Sequence, residues 1–315
     1  MENSIFIDCI IVIISIIMLW KGADWLVESA AEIAHTLKVS DLIIGLTVVA
    51  FGTSAPEFAV TISAAATKQT DISIGNVIGS NIFNLGFILG GTAMIRPIET
   101  SKKMFNRDGL FLLISTLLIF FLFFGIDGPT QNDSYTKYEG LLLFSLLIGY
   151  VIFLFVKKDP PEEIKPSSAT FMSIVLFFIG LASIVIGGHW MVKHASNVAR
   201  FIGVSDWVIA VTIVAAGTSA PEFATSVTAA VKGRHGIAVG NLIGSDLFNL
   251  LGVLGLAGMI NPTDISSDIY GSVCLLVIMV GLTLVMIRTN WKIGRAEGTI
   301  LVTINLVRWY LDFAN

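Results

Sequence analysis

The sequence predicts an all-α integral membrane protein of ten transmembrane helices, arranged as two inverted five-helix repeats. Three observations predict it. First, 55% of the 315 residues are hydrophobic and only 13% are charged, against about 25% charged in a soluble domain. Second, the apolar residues fall in runs close to the ~20 residues that cross a bilayer as a helix, without the short alternating segments of a membrane barrel. Third, Gly22 to Pro97 recurs as Gly187 to Pro262 at a constant offset of 165, without a gap and with roughly half of the positions identical. A repeat of this kind sets the architecture before any single element does. Each copy belongs to a unit of five spans, an odd number, so the second unit crosses the membrane in the opposite sense.

The expected spans, in order, are 4–34, 40–66, 72–96, 108–126, 138–156, 169–199, 205–231, 237–261, 267–288 and 297–313. The first has no basic residue before its apolar stretch and no small-residue cleavage site after it, so it reads as a retained helix and not a signal peptide. Gly125-Ile-Asp-Gly-Pro129 and Asn261-Pro262 mark turns. The most polar stretch, Lys157 to Pro166, lies between spans five and six. The chain thus divides into a first repeat (1–156), a cytoplasmic linker (157–168) and a second repeat (169–315). The linker is too short to fold as a regulatory domain.

Thirteen Lys and Arg residues fall in the loops after the odd-numbered spans, against four on the opposite side. The basic side is expected to be cytoplasmic. Both termini then face outward, in a multi-pass protein of the cell membrane. The net charge of −4 and the lack of a basic cluster give no reason to expect a nucleic-acid partner. Cys9 and Cys274 fit neither a metal spacing nor a disulfide framework and read as packing residues. Lys21, Asp24, Glu28 and Glu32 on span one, and His189, Lys193 and His194 on span six, read as solvated interfacial faces, with proton sensing the alternative for the histidines. Trp25 and Trp190 suit interfacial anchoring.

The polar residues inside the spans carry the chemistry. "GTSAPEF" occurs at Gly52 to Phe58 and again at Gly217 to Phe223. Pro56 lacks an N–H and crowds the preceding turn, and it pushes Ala55 out of helical geometry. A kink or break is expected, with backbone carbonyls free near Gly52 and Thr53. At bilayer depth such carbonyls need a polar partner, and a bound cation would serve. Glu57 lies one turn after Thr53 on the same face, and Glu222 has the same setting. An ionised carboxylate near the membrane midplane costs several kcal/mol and marks function. Duplication for stability alone explains shared packing residues but not two such glutamates.

Spans three and eight add a polar stripe each: Asn76, Ser80 and Asn84, and Asn241, Ser245 and Asn249. Their fourfold spacing keeps each trio on one helix face. The outer asparagines, Asn76 and Asn241, can be either interhelical glue or ligands, whereas Ser80, Asn84, Ser245 and Asn249 reach toward the span centre. Gly75 and Gly79, like Gly240 and Gly244, have the spacing that lets helices approach closely.

The candidate site is thus Thr53, Ser54, Glu57, Ser80, Asn84, Thr218, Ser219, Glu222, Ser245 and Asn249. Its donors are all oxygen, without thiolate or imidazole. Such a set favours hard cations, and its flexibility suits Ca2+ better than Mg2+; Na+ fits the same oxygens. Two glutamates are neutralised by one divalent or two monovalent ions, and an uncompensated pair in low dielectric is unfavourable. No nucleophile–base constellation or cofactor loop suggests an enzyme, and no cofactor is expected beyond the transported ions. A channel pore usually repeats around an axis between subunits, so one pair of broken helices within a chain favours a monomeric carrier.

These motifs, Gly52-Thr-Ser-Ala-Pro-Glu57 with Gly75-Asn-Val-Ile-Gly-Ser-Asn-Ile-Phe-Asn84 and Gly217-Thr-Ser-Ala-Pro-Glu222 with Gly240-Asn-Leu-Ile-Gly-Ser-Asp-Leu-Phe-Asn249, resemble the cation/calcium antiporter superfamily and its prokaryotic sodium/calcium exchanger branch. The resemblance covers nearly the whole chain. It implies sodium/calcium antiport by alternating access, with Glu57, Glu222 and the backbone carbonyls of Thr53 and Thr218 on calcium. It also implies that Thr53, Ser54, Ser80, Thr218, Ser219 and Ser245 form flanking sodium sites, that Asn84 lies at the pocket centre, and that spans one and six slide. Some exchangers, including potassium-dependent ones, carry Asp where this chain has Asn249. Here the acid is Asp246, which reads as replacing Asn81 of the first half and packing or facing water. No potassium requirement is expected. Potassium-dependent or proton-coupled exchange is the alternative, although the proton/calcium branch has a different core motif.

Overall fold

A computed structural model describes residues 2–125, 134–157, 168–204, 215–266 and 269–314. The first part of the expected span 205–231, most of the linker 157–168 and most of the turn at 125–129 lie outside the described residues.

The described chain is helical apart from short strands in the loops. Its helices are α1 (Glu2–Leu37), α2 (Asp41–Thr53), α3 (Ala55–Ala66), α4 (Thr70–Ile95), α5 (Lys102–Phe124), α6 (Lys137–Lys157), α7 (Phe171–Phe201), α8 (Ala215–Thr218), α9 (Ala220–Val231), α10 (His235–Ile260), α11 (Tyr270–Asn290) and α12 (Arg295–Ala314). Among the described residues, seven helices are long and apolar enough to cross a membrane, and the bent pair α2–α3 adds an eighth if it is counted as one span. Helix α12 stands where the last span is expected but is not among them. Helix α5 begins six residues before the expected boundary, because Ser101 caps it by accepting from Met104 N at 3.1 Å.

Burial ranks the helices by position. In α10, 83% of the most apolar window is buried within the protein, and in α4 67%, against 22% for α1 and 28% for α6. Helices α4 and α10 therefore form the centre, and α1 and α6 turn most of their apolar surface outward, as lipid-facing helices do.

Small residues set the closest approaches. Helices α1 and α7 form the most extensive pair. A Cβ on Gly180 would fall 2.7 Å from Gly22 O, and one on Gly22 would fall 2.9 Å from Gly180 O. Helix α10 lies against α2 in the same way: a Cβ on Gly240 would meet Leu42 O at 2.7 Å, and one on Gly244 would meet Leu46 O at 2.7 Å. The expectation of close packing holds for these two glycines. Gly75 and Gly79 have nothing within 4 Å among the described residues; the segment that the repeat places beside them, 205–214, lies outside those residues.

Among the described residues, four helices contain a π-helical turn, at Gly45–Val49, Asn84–Leu89, Phe105–Gly109 and Phe248–Val253. Such turns carry an extra residue and leave backbone groups without their usual partners. The carbonyl of Ile82, just before the second, accepts from Asn305 Nδ2 of α12 at 2.8 Å. The carbonyl of Leu254, just after the fourth, accepts from Tyr135 OH at 3.0 Å.

Two antiparallel strand pairs clip the loops. Strand β1 (Ile98–Glu99) pairs with β4 (Lys292–Ile293), and β2 (Ser134–Tyr135) pairs with β3 (Thr263–Asp264). Each clip joins one half of the chain to the other.

Not all charges on α1 and α7 form solvated faces. Lys232 bridges Asp24 and Glu28 of α1, contacting Glu28 Oε1 at 2.5 Å. Ser173 of α7 donates to Glu32. His194 Nδ1 lies 2.5 Å from Asp8 Oδ1, and Asn197 donates to the same oxygen at 3.2 Å. A charge pattern along one helix shows an interfacial stripe, but not which neighbouring helix brings the counter-charge.

Candidate functional site

The break in the second span falls at Ser54, whose φ and ψ are −78° and 8°. The equivalent Ser219 has −90° and 10°. Both values lie near the bridge region between helix and strand. Ala55 is not displaced from helical geometry as expected. Instead a new helix starts there, so Pro56 sits in a first turn, where a missing N–H breaks no bond. Helices α2 and α3 meet at 52°. Glu57 and Glu222 thereby lie in the first turns of α3 and α9, where helix N-termini favour negative charge.

The two breaks face each other. Ser54 Oγ donates to Glu222 Oε1 at 3.0 Å, and Ser219 Oγ donates to Glu57 Oε1 at 3.1 Å. With the offset of 165 these are one contact with the halves exchanged. Each glutamate is 1% exposed. Their other oxygens, Glu57 Oε2 and Glu222 Oε2, are buried without a hydrogen-bond partner. Two buried acceptors left open at equivalent places call for a cation or a donor between them.

Helices α4 and α10 line the same region. Ser245 Oγ lies 3.4 Å from both Glu222 Oε1 and Thr53 Oγ1, and Thr53 Oγ1 donates to Asn241 Oδ1 at 3.0 Å. Asn241 also donates to Ser226 Oγ at 3.0 Å, and Asn76 to Thr61 Oγ1 at 2.9 Å. The outer asparagines therefore tie α9 to α10 and α3 to α4, as interhelical glue does. Ser80, Asn84, Ser245 and Asn249 are all buried. Asn84 and Asn249 stand in equivalent π-helical turns, and each keeps a buried Oδ1 without a partner. Thr218 ends α8 and is half-buried.

Asp246 does not face water. It is fully buried; its Oδ1 accepts from Asn84 Nδ2 at 3.0 Å, and its Oδ2 has no partner. Asn81 stands beside it. Sequence reasoning read Asp246 as packing or facing water and gave Asn81 no role. The repeat held a usable signal, since 81 and 246 are equivalent positions three residues before the candidate ligands 84 and 249. Among the described residues, no three His, Cys, Asp or Glu side chains come together as a metal cluster. The region between the two breaks thus holds two carboxylates, with hydroxyl and amide oxygens around them.

Residues 8–156 and 172–311 match a family model described as sodium/calcium exchanger protein. The putative antiporter CaxA of Alkalimonas amylolytica is 34% identical over 319 residues, covering 97% of this chain and 98% of that protein. The sodium/calcium exchanger MaX1 of Methanosarcina acetivorans is 32% identical over 338 residues, covering 95% and 96%. Among solved structures, the sodium-calcium exchanger NCX_Mj soaked with 10 mM Na+ and zero Ca2+ is similar to this chain with a TM-score of 0.84 at 30% identity, covering 96% of this chain and 98% of that one.

Proposed function

The chain belongs to the sodium/calcium exchanger protein family, and on that premise we propose that it exchanges Ca2+ for Na+ by alternating access through one buried site. The ligands are Thr53, Ser54, Glu57, Ser80, Asn84, Thr218, Ser219, Glu222, Ser245 and Asn249. The observation that carries this reading is the exchanged pair of contacts, Ser54 with Glu222 and Ser219 with Glu57, each leaving one carboxylate oxygen open. Oxygen donors of this kind suit Ca2+ and Na+. One Ca2+ or two Na+ cancel the two glutamate charges, so the loaded protein changes sides far more readily than the empty one.

The same reading gives ten spans in two inverted repeats, 1–156 and 169–315, joined by a cytoplasmic linker at 157–168. Reciprocal contacts support it, because each half reaches the other by the same rule, as elements related by a twofold axis do. The excess of Lys and Arg after odd-numbered spans supports an orientation with both termini outside the cell membrane. The protein acts as a monomeric carrier and not as an enzyme, without a resident cofactor. Potassium dependence or proton coupling is the second reading, favoured by one more buried acid beside the site, Asp246.

Reconstituted vesicles test the function. Calcium uptake should require sodium on the far side, rise with the outward sodium gradient and vanish in Glu57→Gln. Uptake without internal sodium would mean a channel, and stimulation by K+ or by a proton gradient would move the assignment to the second reading.

A further inference from the structure

The candidate ligands Asn84 and Asn249 are held by a network that spans both halves. Asn84 donates Nδ2 to Asp246 Oδ1 at 3.0 Å, and Asn249 donates Nδ2 to Asn81 Oδ1 at 3.1 Å. Positions 81 and 246 are equivalent, as are 84 and 249, so this too is one contact made twice. Asn81 spends its own amide group on the backbone carbonyl of Asp246 at 3.1 Å, which fixes its Oδ1 as the acceptor. An ionised carboxylate can only accept, and a proton carried on the unpartnered Asp246 Oδ2 would leave Oδ1 an acceptor all the same. Both ligand amides therefore have one workable orientation. Turned over, each would set its carbonyl oxygen against another acceptor. What each asparagine then has left is its oxygen: Asn84 Oδ1 and Asn249 Oδ1 are both buried and unpartnered. All four side chains are at most 1% exposed, so water does not solvate these oxygens from outside. These two orphan acceptors at equivalent places, like those on Glu57, Glu222 and Asp246 Oδ2, call for a cation or a donor.

We propose that Asp246 and Asn81 are positioning residues of the ion site. Each holds the amide group of the opposite half's asparagine, so that a carbonyl oxygen faces the ion, and neither binds the ion itself. This role rests on the exchanger reading of the site. It accounts for a difference between the halves, since an acid and an amide fill equivalent positions because both can offer an acceptor. It also agrees with the absence of a cluster of three acids among the described residues. Asp246 stands behind Asn84 and does not join Glu57 and Glu222 around one ion.

The test uses the full chain in vesicles, with initial rates of sodium-driven calcium uptake measured across a calcium series. Asp246→Ala and Asn81→Ala should each raise half-saturating calcium roughly tenfold, the worth of a single hydrogen bond, while the maximal rate changes less. Asp246→Asn should recover most of the lost affinity, because an amide can offer the same acceptor. Calcium-induced thermal stabilisation of the purified proteins gives an independent reading of binding. If Asp246→Asn is as weak as Asp246→Ala, the charge acts on the ion directly and the positioning role is wrong. It is equally wrong if both alanine variants keep the parent affinity. Should Asp246→Ala fail to fold, Asp246→Asn decides alone, since a loss of tenfold or more in that variant overturns the role and a smaller loss supports it. If the unmodified protein shows neither sodium-driven uptake nor calcium-induced stabilisation, the exchanger reading falls and takes this role with it.

Discussion

Adding one methyl group at Gly240 should loosen the helix contact on which the site depends. A Cβ there would lie 2.7 Å from Leu42 O and 3.0 Å from Gly45 Cα. Both are backbone atoms, so no side chain can swing aside. Ordinary contact begins at 3.4 Å, so α10 and α2 must part by about 0.7 Å. Overpacking of this kind costs about 1–3 kcal/mol. The contact is also the one that holds Thr53 Oγ1 3.0 Å from Asn241 Oδ1, and a shift of that size along their line carries the pair past hydrogen-bond range. Gly240→Ala should therefore lower the apparent unfolding temperature by about 2–10 °C and weaken calcium affinity together. Gly149→Ala is the control, since nothing lies within 4 Å of that position among the described residues. Thermal unfolding in detergent and the vesicle assay read the two effects. Equal unfolding temperatures for the two variants would refute the packing argument.

Other expectations follow from the same contacts. Ser54→Ala and Ser219→Ala each remove one donor from a glutamate, and should weaken calcium affinity to a similar degree, roughly tenfold or more; a large effect at one with none at the other would break the reciprocity. Asn305→Leu leaves the Ile82 carbonyl without its donor, and should cost about 1–3 kcal/mol, visible as a lower unfolding temperature. Burial alone would lower the pKa of Lys232, but hydrogen bonds to Asp24 and Glu28 outweigh it and hold the ammonium above the usual lysine value. With the folded value raised, this stabilisation is present below the ordinary lysine pKa and is lost as pH rises through the folded one. Lys232→Ala should thus cost no more than about 1 kcal/mol at neutral pH, and the difference from the parent should close at strongly alkaline pH.

The helices were legible because the bilayer demands long apolar runs, and those runs are written openly in the composition. The breaks were legible because Pro56 and Pro221 leave few options, although the break settled at Ser54 and not at Ala55. The π-helical turns at Asn84 and Phe248 were not legible. An extra residue in a turn alters no hydropathy pattern, and the groups that satisfy it, Asn305 and Tyr135, are far away in sequence. Asp246 was seen but misplaced. Its position in the repeat was readable, but its burial depends on the facing helix α4. Lys232 and Asp24 are a similar case, since a charge and its partner on another helix leave no local trace.

The central claim is that Glu57 and Glu222 hold one ion between them. A crystal structure of the protein with calcium, located by its anomalous signal, tests this most directly. The account predicts a cation within about 2.3–2.6 Å of an oxygen of each glutamate, with Asn84 Oδ1 or Asn249 Oδ1 turned toward it. A calcium ion bound elsewhere, or two glutamates too far apart to share one, would contradict it.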